Sequence, residues 1–243
     1  DIKKGVDAIP SILSDALAVG FDNHVGHDYL EDYSERYDFY HTKEDRIEFD
    51  LEFFNKITKG GIPNKTLNIA LAGTGVGKSL FMCHVASSVL LQGKNVLYIT
   101  LEMAEEKIAE RVDANLLNVP VQQLTDLPRI MFENKVSSLA KKTQGQLIIK
   151  EYPTASAHVG HFRALLNELA LKKSFTPDII FVDYLNICAS NRYRANNNVN
   201  SYSYIKAIAE ELRGLACEAK VPIVSATQTT RSGFGNSDVD LTD

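Results

Sequence analysis

Residues 72–79 read Ala-Gly-Thr-Gly-Val-Gly-Lys-Ser and directly follow an apolar run at residues 67–71. A strand that leads into a glycine-rich turn ending in Gly-Lys-Ser is typical of the phosphate-binding loop of nucleoside triphosphatases. Glycines let successive backbone N–H groups point at one phosphate, and the helix that begins near Lys78 adds the positive end of its dipole. The loop therefore predicts binding of ATP, or of another nucleoside triphosphate, together with Mg²⁺. The residues expected to bind this ligand are Gly73, Thr74, Gly75, Val76, Gly77, Lys78 and Ser79.

Two side chains of this loop have separate predicted tasks. Lys78 is expected to reach the β- and γ-phosphates, and the Ser79 hydroxyl is expected to bind Mg²⁺. Ala72 stands where the strict pattern has its first glycine, a position that only opens the turn. The alternative is a flexible loop that merely contains glycines, and the strand before it and the apolar helix after it disfavour that interpretation.

Two further apolar runs end in a carboxylate. Asp183 follows residues 179–182, and a carboxylate at such a strand end can hold Mg²⁺ beside Ser79. Glu102 follows residues 96–101 and can orient the attacking water if its strand neighbours the strand of the phosphate loop. The alternative for Glu102 is that it only stabilises the dipole at the start of the following helix.

Other polar residues near these strand ends could contact phosphate. Gln228 ends a third apolar run, and its amide could bond both a γ-phosphate oxygen and water, so that it senses whether that phosphate is present. Residues 191–198 contain Arg192 and Arg194 among amides and a tyrosine, a composition that suits contact with a DNA backbone. Arg231 lies in the loop after Gln228. Considered alone, each of these residues could equally belong to an ordinary solvated loop.

Length and composition limit the class of protein. A chain of 243 residues with 44% hydrophobic content predicts one domain with an ample core. No apolar run approaches the roughly 20 residues of a membrane helix, and no signal peptide is present, so we expect a cytoplasmic protein without membrane contact. Three cysteines, far apart in apolar stretches, are expected to be buried thiols of a reducing compartment. Because the chain begins with Asp, we expect it to be part of a longer polypeptide.

The negative charge is concentrated in one segment. Residues 28–52 carry ten acidic and three basic residues, a local balance of −7 in a chain whose net charge is −5. The remainder is therefore slightly positive, so that contact with DNA would have to depend on a few well-placed cations.

From residue 67 onward, short apolar runs alternate with stretches of helical periodicity. This alternation predicts a mostly parallel α/β sheet with helices on both faces. The candidate residues lie at carboxyl ends of strands, where ligands bind in such sheets. Strands are predicted at 67–71, 95–101, 146–151, 179–183 and 222–227, and helices at 78–91, 104–117, 132–142, 159–169 and 204–219.

A separate amphipathic helix is predicted at residues 9–19, with Pro10 in its first turn and Gly20 at its end. It could pack on its own domain, or it could dock on a neighbouring subunit, because a tethered helix can reach one. The sequence leaves both possibilities open.

Several motifs together resemble the motor domain of DnaB-type hexameric replicative DNA helicases, particularly those of T-even-like phages. The resemblance covers nearly the whole chain, and it is specific because it depends on a combination of motifs rather than on the phosphate loop alone. The matching segments are residues 51–63, the phosphate loop, Thr100-Leu101-Glu102-Met103, Asp183-Tyr184-Leu185 and Ser225-Ala226-Thr227-Gln228.

This resemblance implies a RecA-like fold and assigns roles to the matching residues. Glu102 would be the catalytic carboxylate, Asp183 the metal ligand and Gln228 the sensor, while the loops with Arg192, Arg194 and Arg231 would line a DNA channel. The implied division is a linker helix at 1–20, an acidic connecting segment at 21–50 and an ATPase core at 51–243. The implied assembly is a hexameric ring on single-stranded DNA, with primase and other replisome proteins as partners, in the host cytoplasm if a phage encodes it.

The resemblance leaves two alternative functions open and implies catalytic residues that this sequence does not contain. A recombinase of the same fold, which would form filaments, and a nucleotide-switched loader or regulator are the alternatives. The family supplies an arginine finger and a second basic residue from a later part of the domain, which we expect to lie beyond residue 243. The 243-residue chain alone is therefore expected to hydrolyse ATP slowly.

The acidic segment is expected to lie outside the DNA path, because its carboxylates would repel phosphate. Neutralising Asp28, Glu31, Asp32 and Glu35 to the corresponding amides should then change the affinity for single-stranded DNA only slightly. Fluorescence anisotropy with labelled DNA at constant salt measures this. A large gain in affinity would place the segment in the path of the DNA.

Overall fold

The computed structural model describes residues 26–42, 45–193 and 200–228. Contacts between residues divide the chain into two units, with the boundary between residues 44 and 45. The helix predicted at residues 9–19, Arg194 and Arg231 lie outside the described residues. The division into a linker helix, an acidic segment and an ATPase core therefore stays a prediction.

The described part of the first unit contains the helix α1, Tyr33–His41. The sequence predicted only a polar connection here. Asp28 organises the turn before the helix, because its Oδ1 accepts hydrogen bonds from the N–H groups of Leu30 and Glu31 at 3.0 and 3.1 Å. Glu35 in the first turn suits the helix dipole. No residue of α1 is buried, so the helix depends on local polar interactions that apolar periodicity does not reveal.

The second unit is built on a five-stranded parallel sheet with the predicted α/β architecture. A short antiparallel pair, β1 (Arg46–Ile47) and β2 (Ile62–Pro63), precedes this sheet in the chain. The sheet consists of β3 (Leu67–Leu71), β4 (Val96–Thr100), β5 (Leu147–Glu151), β6 (Ile179–Asp183) and β7 (Ile223–Thr227). The order of these strands across the sheet is β3-β7-β6-β4-β5.

Helices cover both faces of the sheet. Along β4, Leu97 and Ile99 belong to one hydrophobic cluster, while Val96 and Tyr98 belong to the other, as the alternation of side chains in a strand requires. Every residue of β4 and β6 is buried, which is the pattern of central strands in a two-faced sheet. The helices are α2 (Glu52–Ile57), α3 (Lys78–Leu91), α4 (Glu105–Leu116), α5 (Arg129–Ala140), α6 (Val159–Lys173) and α7 (Ser201–Ala219).

The two clusters divide these helices between the faces. One cluster contains Phe162 and Leu165 of α6 and Leu212 of α7. The other contains Met82 and Val85 of α3, with further residues from α4, β1 and β2. The predicted arrangement of helices on both faces is therefore confirmed.

The order of the strands shows that one condition stated from the sequence is not met. Glu102 was expected to face the phosphate loop if its strand, β4, neighboured the loop strand, β3. In the structure β3 pairs with β7, and β4 pairs with β5 and β6, so that two strands separate β3 from β4. Any approach of Glu102 to the loop must therefore come from the turn after β4 and not from adjacency of the strands.

Two helices begin earlier than the apolar pattern predicts. The helix α5 begins at Arg129 rather than at residue 132, directly after Pro128, whose carbonyl accepts from the N–H of Met131. The helix α7 begins at Ser201 rather than at residue 204, because the Asn200 side chain accepts from the backbone N–H of Tyr202 at 3.2 Å. A backbone bond holds the first turn of α5 and a side-chain cap that of α7, and apolar spacing alone misses both.

The expectation of three buried thiols is wrong for one cysteine. Cys83 and Cys188 are buried, but Cys217 is exposed. It follows the buried residue Ala216 in α7, and on a helix neighbouring positions point in different directions. An apolar stretch of helix therefore does not by itself bury every residue that it contains. None of the helices in the described ranges is long and apolar enough to cross a bilayer.

Because Gly61 lies close to β1, a side chain at this position is expected to lower the stability of the second unit. Gly60 and Gly61 have φ values of +111° and +116°, which cost other residues about 1–3 kcal/mol. A Cβ at Gly61 would also overlap the carbonyl oxygen of Ile47, whereas one at Gly60 would lie 3.8 Å from Arg46. Gly61→Ala should therefore lower the Tm more than the matched control Gly60→Ala in thermal denaturation. Equal losses would show that the close contact has no cost beyond that of φ.

Candidate nucleotide-binding site

The phosphate loop connects β3 to α3 through two glycines in left-handed conformations. Gly75 has φ +75° and Gly77 has φ +105°, values that other residues adopt only with strain. The loop is fixed at its start, where the N–H of Ala72 donates to the carbonyl of Thr227 in β7. It is fixed at its end where the N–H of Phe81 begins the helical bonding to Gly77. Backbone N–H groups of the first turn of a helix are donors without helical partners, which suits them to an anion.

The ammonium group of Lys78 lies against its own loop. Its Nζ donates hydrogen bonds to the carbonyl oxygens of Gly73 at 2.9 Å and Ala72 at 3.2 Å. The charge is therefore held at the loop, on the same short segment that presents the N–H groups. This placement fits a cation that neutralises phosphate oxygens.

The structure joins Ser79 to Asp183, which are 104 residues apart in the sequence. The Ser79 hydroxyl donates to Asp183 Oδ1 at 3.3 Å. Asp183 ends β6, and its side chain has no solvent exposure. A hydroxyl and a carboxylate side by side are the oxygen ligands that Mg²⁺ prefers, so the donor set fits that ion.

Tyr98 completes the hydrogen bonding of this carboxylate. Its hydroxyl donates to Asp183 Oδ2 at 2.8 Å, and the thiol of Cys83 donates to the Tyr98 oxygen at 3.8 Å. Burial raises the pKa of Tyr98 well above its usual value, and the charge of Asp183 raises that pKa further. Burial likewise raises the pKa of Cys83 to about 11. Both groups therefore stay protonated at neutral pH and act as donors.

Glu102 and Gln228 line the same cleft as the loop. The cleft has a volume of about 240 Å³ and is bounded by Thr74, Gly75, Gly77, Lys78, Ser79, Leu80, Glu102, Met103, Arg111 and Gln228. A tight turn after β4 brings Glu102 there. The Thr100 hydroxyl closes that turn by donating to the carbonyl of Met103 and accepting from its N–H, at 2.7 and 3.1 Å.

Tyr184 connects the sensor candidate to the two carboxylates. The Gln228 amide donates to the Tyr184 hydroxyl at 3.3 Å. Burial raises the pKa of Tyr184, and the negative charges of Glu102 and Asp183 add to that effect. Tyr184 is therefore bonded to Gln228 and lies within the electrostatic influence of Glu102 and Asp183, although these residues come from three different strand ends.

Arg111 is a candidate that the sequence interpretation missed. It lies on α4, is partly buried, and lines the cleft beside the phosphate loop. It makes no hydrogen bond or ion pair with any residue in the described ranges, while its charge partly offsets the rise that burial causes in the pKa of Cys83. A cation on the helix that follows Glu102 is the signal that could have identified it. Tyr98 was missed because it lies in an apolar run, where its ring suggests only core packing.

Of the three arginines proposed to contact DNA, Arg192 is described. Its guanidinium donates to Glu210 Oε2 at 2.6 Å, so it already has an anionic partner on α7. The backbone beside it is anchored by Glu211, whose carboxylate accepts from the N–H groups of Asn191 and Arg192 and from the Ser190 hydroxyl at 2.7 Å. The base of this loop is thus fixed to α7.

Comparisons with known sequences agree with this site. The profile of the DnaB-like helicase C-terminal domain matches residues 47–238. A DnaB-like replicative helicase of Enterobacteria phage T4 is 47% identical over 241 residues, which cover 98% of this chain and 50% of that protein. The replicative DNA helicase DnaB of Helicobacter pylori strain J99 is 26% identical over 174 residues, 71% of this chain and 34% of that protein. The chain therefore spans at most about half the length of these relatives.

Two solved structures share the fold. A DnaB-like replicative helicase, solved to show its interactions with primase, superposes with a TM-score of 0.70 at 16% identity, over 98% of this chain and 57% of that one. A second solved structure, of an isolated ATPase domain, superposes with a TM-score of 0.66 at 17% identity, over 88% of this chain and 76% of that one. The predicted RecA-like fold is confirmed. The chain belongs to the DnaB-like helicase C-terminal domain family.

Proposed function

We propose that this chain is the motor domain of a replicative DNA helicase, which hydrolyses ATP between subunits to move along single-stranded DNA and separate duplex strands. One observation carries the proposal: the loop and Ser79, which is bonded to Asp183, line a single cleft that Glu102 and Gln228 also line. A phosphate cradle, a pair of oxygen ligands for a metal and a carboxylate for water are the parts that phosphoryl transfer to water requires.

The residues of the cleft divide the chemistry between them. Lys78 and the N–H groups of the loop hold the phosphates, and Ser79 and Asp183 hold Mg²⁺. When bound, Mg²⁺ neutralises phosphate charge and orients the reacting phosphate. Glu102, which is exposed at the cleft, orients the attacking water and accepts its proton. Gln228 senses the γ-phosphate through its amide, and its bond to Tyr184 supports this role, because the charges of Glu102 and Asp183 also act on that tyrosine.

The assembly and its partners follow from the relatives. Because the chain belongs to the DnaB-like family, we propose for it the assembly that the resemblance implies, a hexameric ring on single-stranded DNA in the host cytoplasm. The solved DnaB-like replicative helicase that shares this fold was described together with its interactions with primase. This supports primase as a partner of the present protein. Arg192, Arg194 and Arg231 are proposed to contact the DNA backbone.

Strand separation distinguishes this function from its rivals. A ring in electron micrographs and ATP-dependent unwinding of a forked duplex are expected of the full-length protein that contains this domain. ATP-dependent filaments on single-stranded DNA would indicate a recombinase, and nucleotide binding without unwinding would indicate a loader or regulator.

Binding and hydrolysis of ATP should separate by mutation. Lys78→Ala removes a cation held at the loop and should weaken nucleotide binding strongly. Glu102→Gln keeps the size and polarity of the side chain but removes the base, so binding should survive. Hydrolysis by the DNA-stimulated ring should then fall by roughly 100-fold or more. Fluorescent-nucleotide titration and phosphate release measure the two quantities.

A matched control for Glu102→Gln is Glu106→Gln, because Glu106 is an exposed carboxylate at the start of α4 that does not line the cleft. Its turnover should equal that of the wild type. Near-normal turnover by Glu102→Gln would remove Glu102 from the mechanism.

The ion pair between Arg192 and Glu210 gives two DNA-binding predictions of opposite sign. Arg192→Ala should weaken binding of single-stranded DNA and reduce the slope of log affinity against log salt by about 1. Glu210→Gln should strengthen binding, because it frees the Arg192 guanidinium for phosphate. Anisotropy titrations over a range of salt measure both effects.

Arg163 provides the control, because it forms a comparable surface pair with Glu218 at 2.6 Å. Arg163→Ala should leave the salt slope unchanged. If Arg163→Ala and Arg192→Ala weaken binding equally, net charge rather than a specific contact explains both.

A further inference from the structure

We propose that Tyr98 is a positioning residue for Mg²⁺: its hydroxyl fixes the rotation of the Asp183 carboxylate, so that Oδ1 stays beside the Ser79 hydroxyl. This role rests on the proposed function, since Ser79 and Asp183 are the residues proposed to hold the metal. Tyr98 itself would not touch the metal or the nucleotide. It acts through Asp183.

The two hydrogen bonds to Asp183 are unequal. The bond from Tyr98 to Oδ2 is 2.8 Å long, whereas the bond from Ser79 to Oδ1 is 3.3 Å long. Hydrogen bonds to a charged acceptor are strong when short and weaken with distance. Tyr98 therefore sets the orientation of the carboxylate. The weaker bond, from Ser79 to Oδ1, is the one that binding of Mg²⁺ can replace.

The phenol is itself held rigidly. Its ring stacks on Phe181 with centroids 5.7 Å apart and planes 12° from parallel, and Tyr98 has no exposed surface. The register of β4 and β6 pairs Tyr98 with Phe181, two residues before Asp183. The Cys83 thiol closes the arrangement by donating to the phenol oxygen from α3, one turn after Ser79.

This network connects three elements around one carboxylate. α3 contributes Ser79 and Cys83, β4 contributes Tyr98, and β6 contributes Asp183. Without the Tyr98 hydroxyl, Oδ2 loses its donor in a site without water contact, and the carboxylate can turn about its last side-chain bond, a broad torsion. A partner that orients a metal ligand in this way typically changes metal affinity by 10–100-fold.

A purely structural role makes a different prediction. If Tyr98 only satisfies a buried carboxylate, its loss lowers stability equally with and without Mg²⁺. If Tyr98 positions Asp183, its loss specifically weakens the contribution of Mg²⁺ to nucleotide binding. The two roles are therefore separable without measuring hydrolysis.

The experiment compares Tyr98→Phe with Tyr204→Phe. The first removes only the hydroxyl and keeps the ring on Phe181. The second removes a partly buried hydroxyl that accepts from the N–H of Ser190 at 3.1 Å, outside the cleft. Binding of a fluorescent ATP analogue is titrated with MgCl₂, and separately in EDTA.

For Tyr98→Phe we expect the Mg²⁺ concentration at half-saturation to rise roughly 10-fold, with nucleotide affinity in EDTA unchanged. Tyr204→Phe should match the wild type in both. An unchanged or lower half-saturating concentration for Tyr98→Phe overturns the positioning role. If nucleotide binding by the wild type does not depend on the Mg²⁺ concentration, the proposed metal site is wrong, and so is the role of Tyr98.

Thermal denaturation provides a second readout. The rise in Tm caused by Mg²⁺ and nucleotide together should be smaller for Tyr98→Phe than for the wild type, whereas an equal rise contradicts the proposal. If Tyr98→Phe does not fold, Cys83→Ala tests the same network with the phenol in place. It should raise the half-saturating Mg²⁺ concentration by a smaller factor, and no rise would overturn the proposal.

Discussion

A carboxylate without access to water is stable only if hydrogen bonds or a cation replace its hydration. Asp183 is in this position at the end of β6, and the hydroxyls of Ser79 and Tyr98 satisfy one oxygen each. These donors lie on α3 and β4. Their bonds to Asp183 therefore fix the start of α3 relative to the two central strands β4 and β6. The same requirement makes the site receptive to a cation, since a divalent ion can take over the role of the weaker donor.

The strand order explains how distant segments reach one cleft. The strand β7 lies between the loop strand β3 and β6, which carries the proposed metal ligand, and its end holds the loop through the bond between Ala72 and Thr227. Gln228 follows immediately and therefore lies between the loop and Asp183. On the far side of β6, the Thr100 turn directs the chain after β4 back toward the cleft. Short turns at strand ends, rather than long side chains, thus assemble the site.

Much of this arrangement could be predicted because each residue ends a strand. Asp183 and Gln228 were assigned from the rule that parallel strands present their carboxyl ends at one edge, and that rule does not depend on strand order. Strand order itself cannot be read from alternation, so the sequence could state adjacency of the Glu102 strand to the loop strand only as a condition, which the structure does not meet. The role of Tyr98 could not be predicted for a related reason. An apolar run indicates that its ring is buried but not which group its hydroxyl contacts. The outward position of Cys217 likewise depends on the rotation of a helix about its axis.

The pairing of β3 with β7 affects how the chain is made. Asn68 of β3 contacts Ile223 of β7, and these residues are 155 positions apart. At cellular rates of translation the ribosome needs on the order of 8–30 s to cover that distance. During this time β3, with half-exposed Ile69 and Leu71 even in the folded sheet, has no β7 to pair with. The strand that leads into the proposed nucleotide-binding loop is thus synthesised well before β7, the strand that it pairs with in the sheet. Until β7 has been synthesised, that edge of β3 is unpaired and is a template for pairing with another chain.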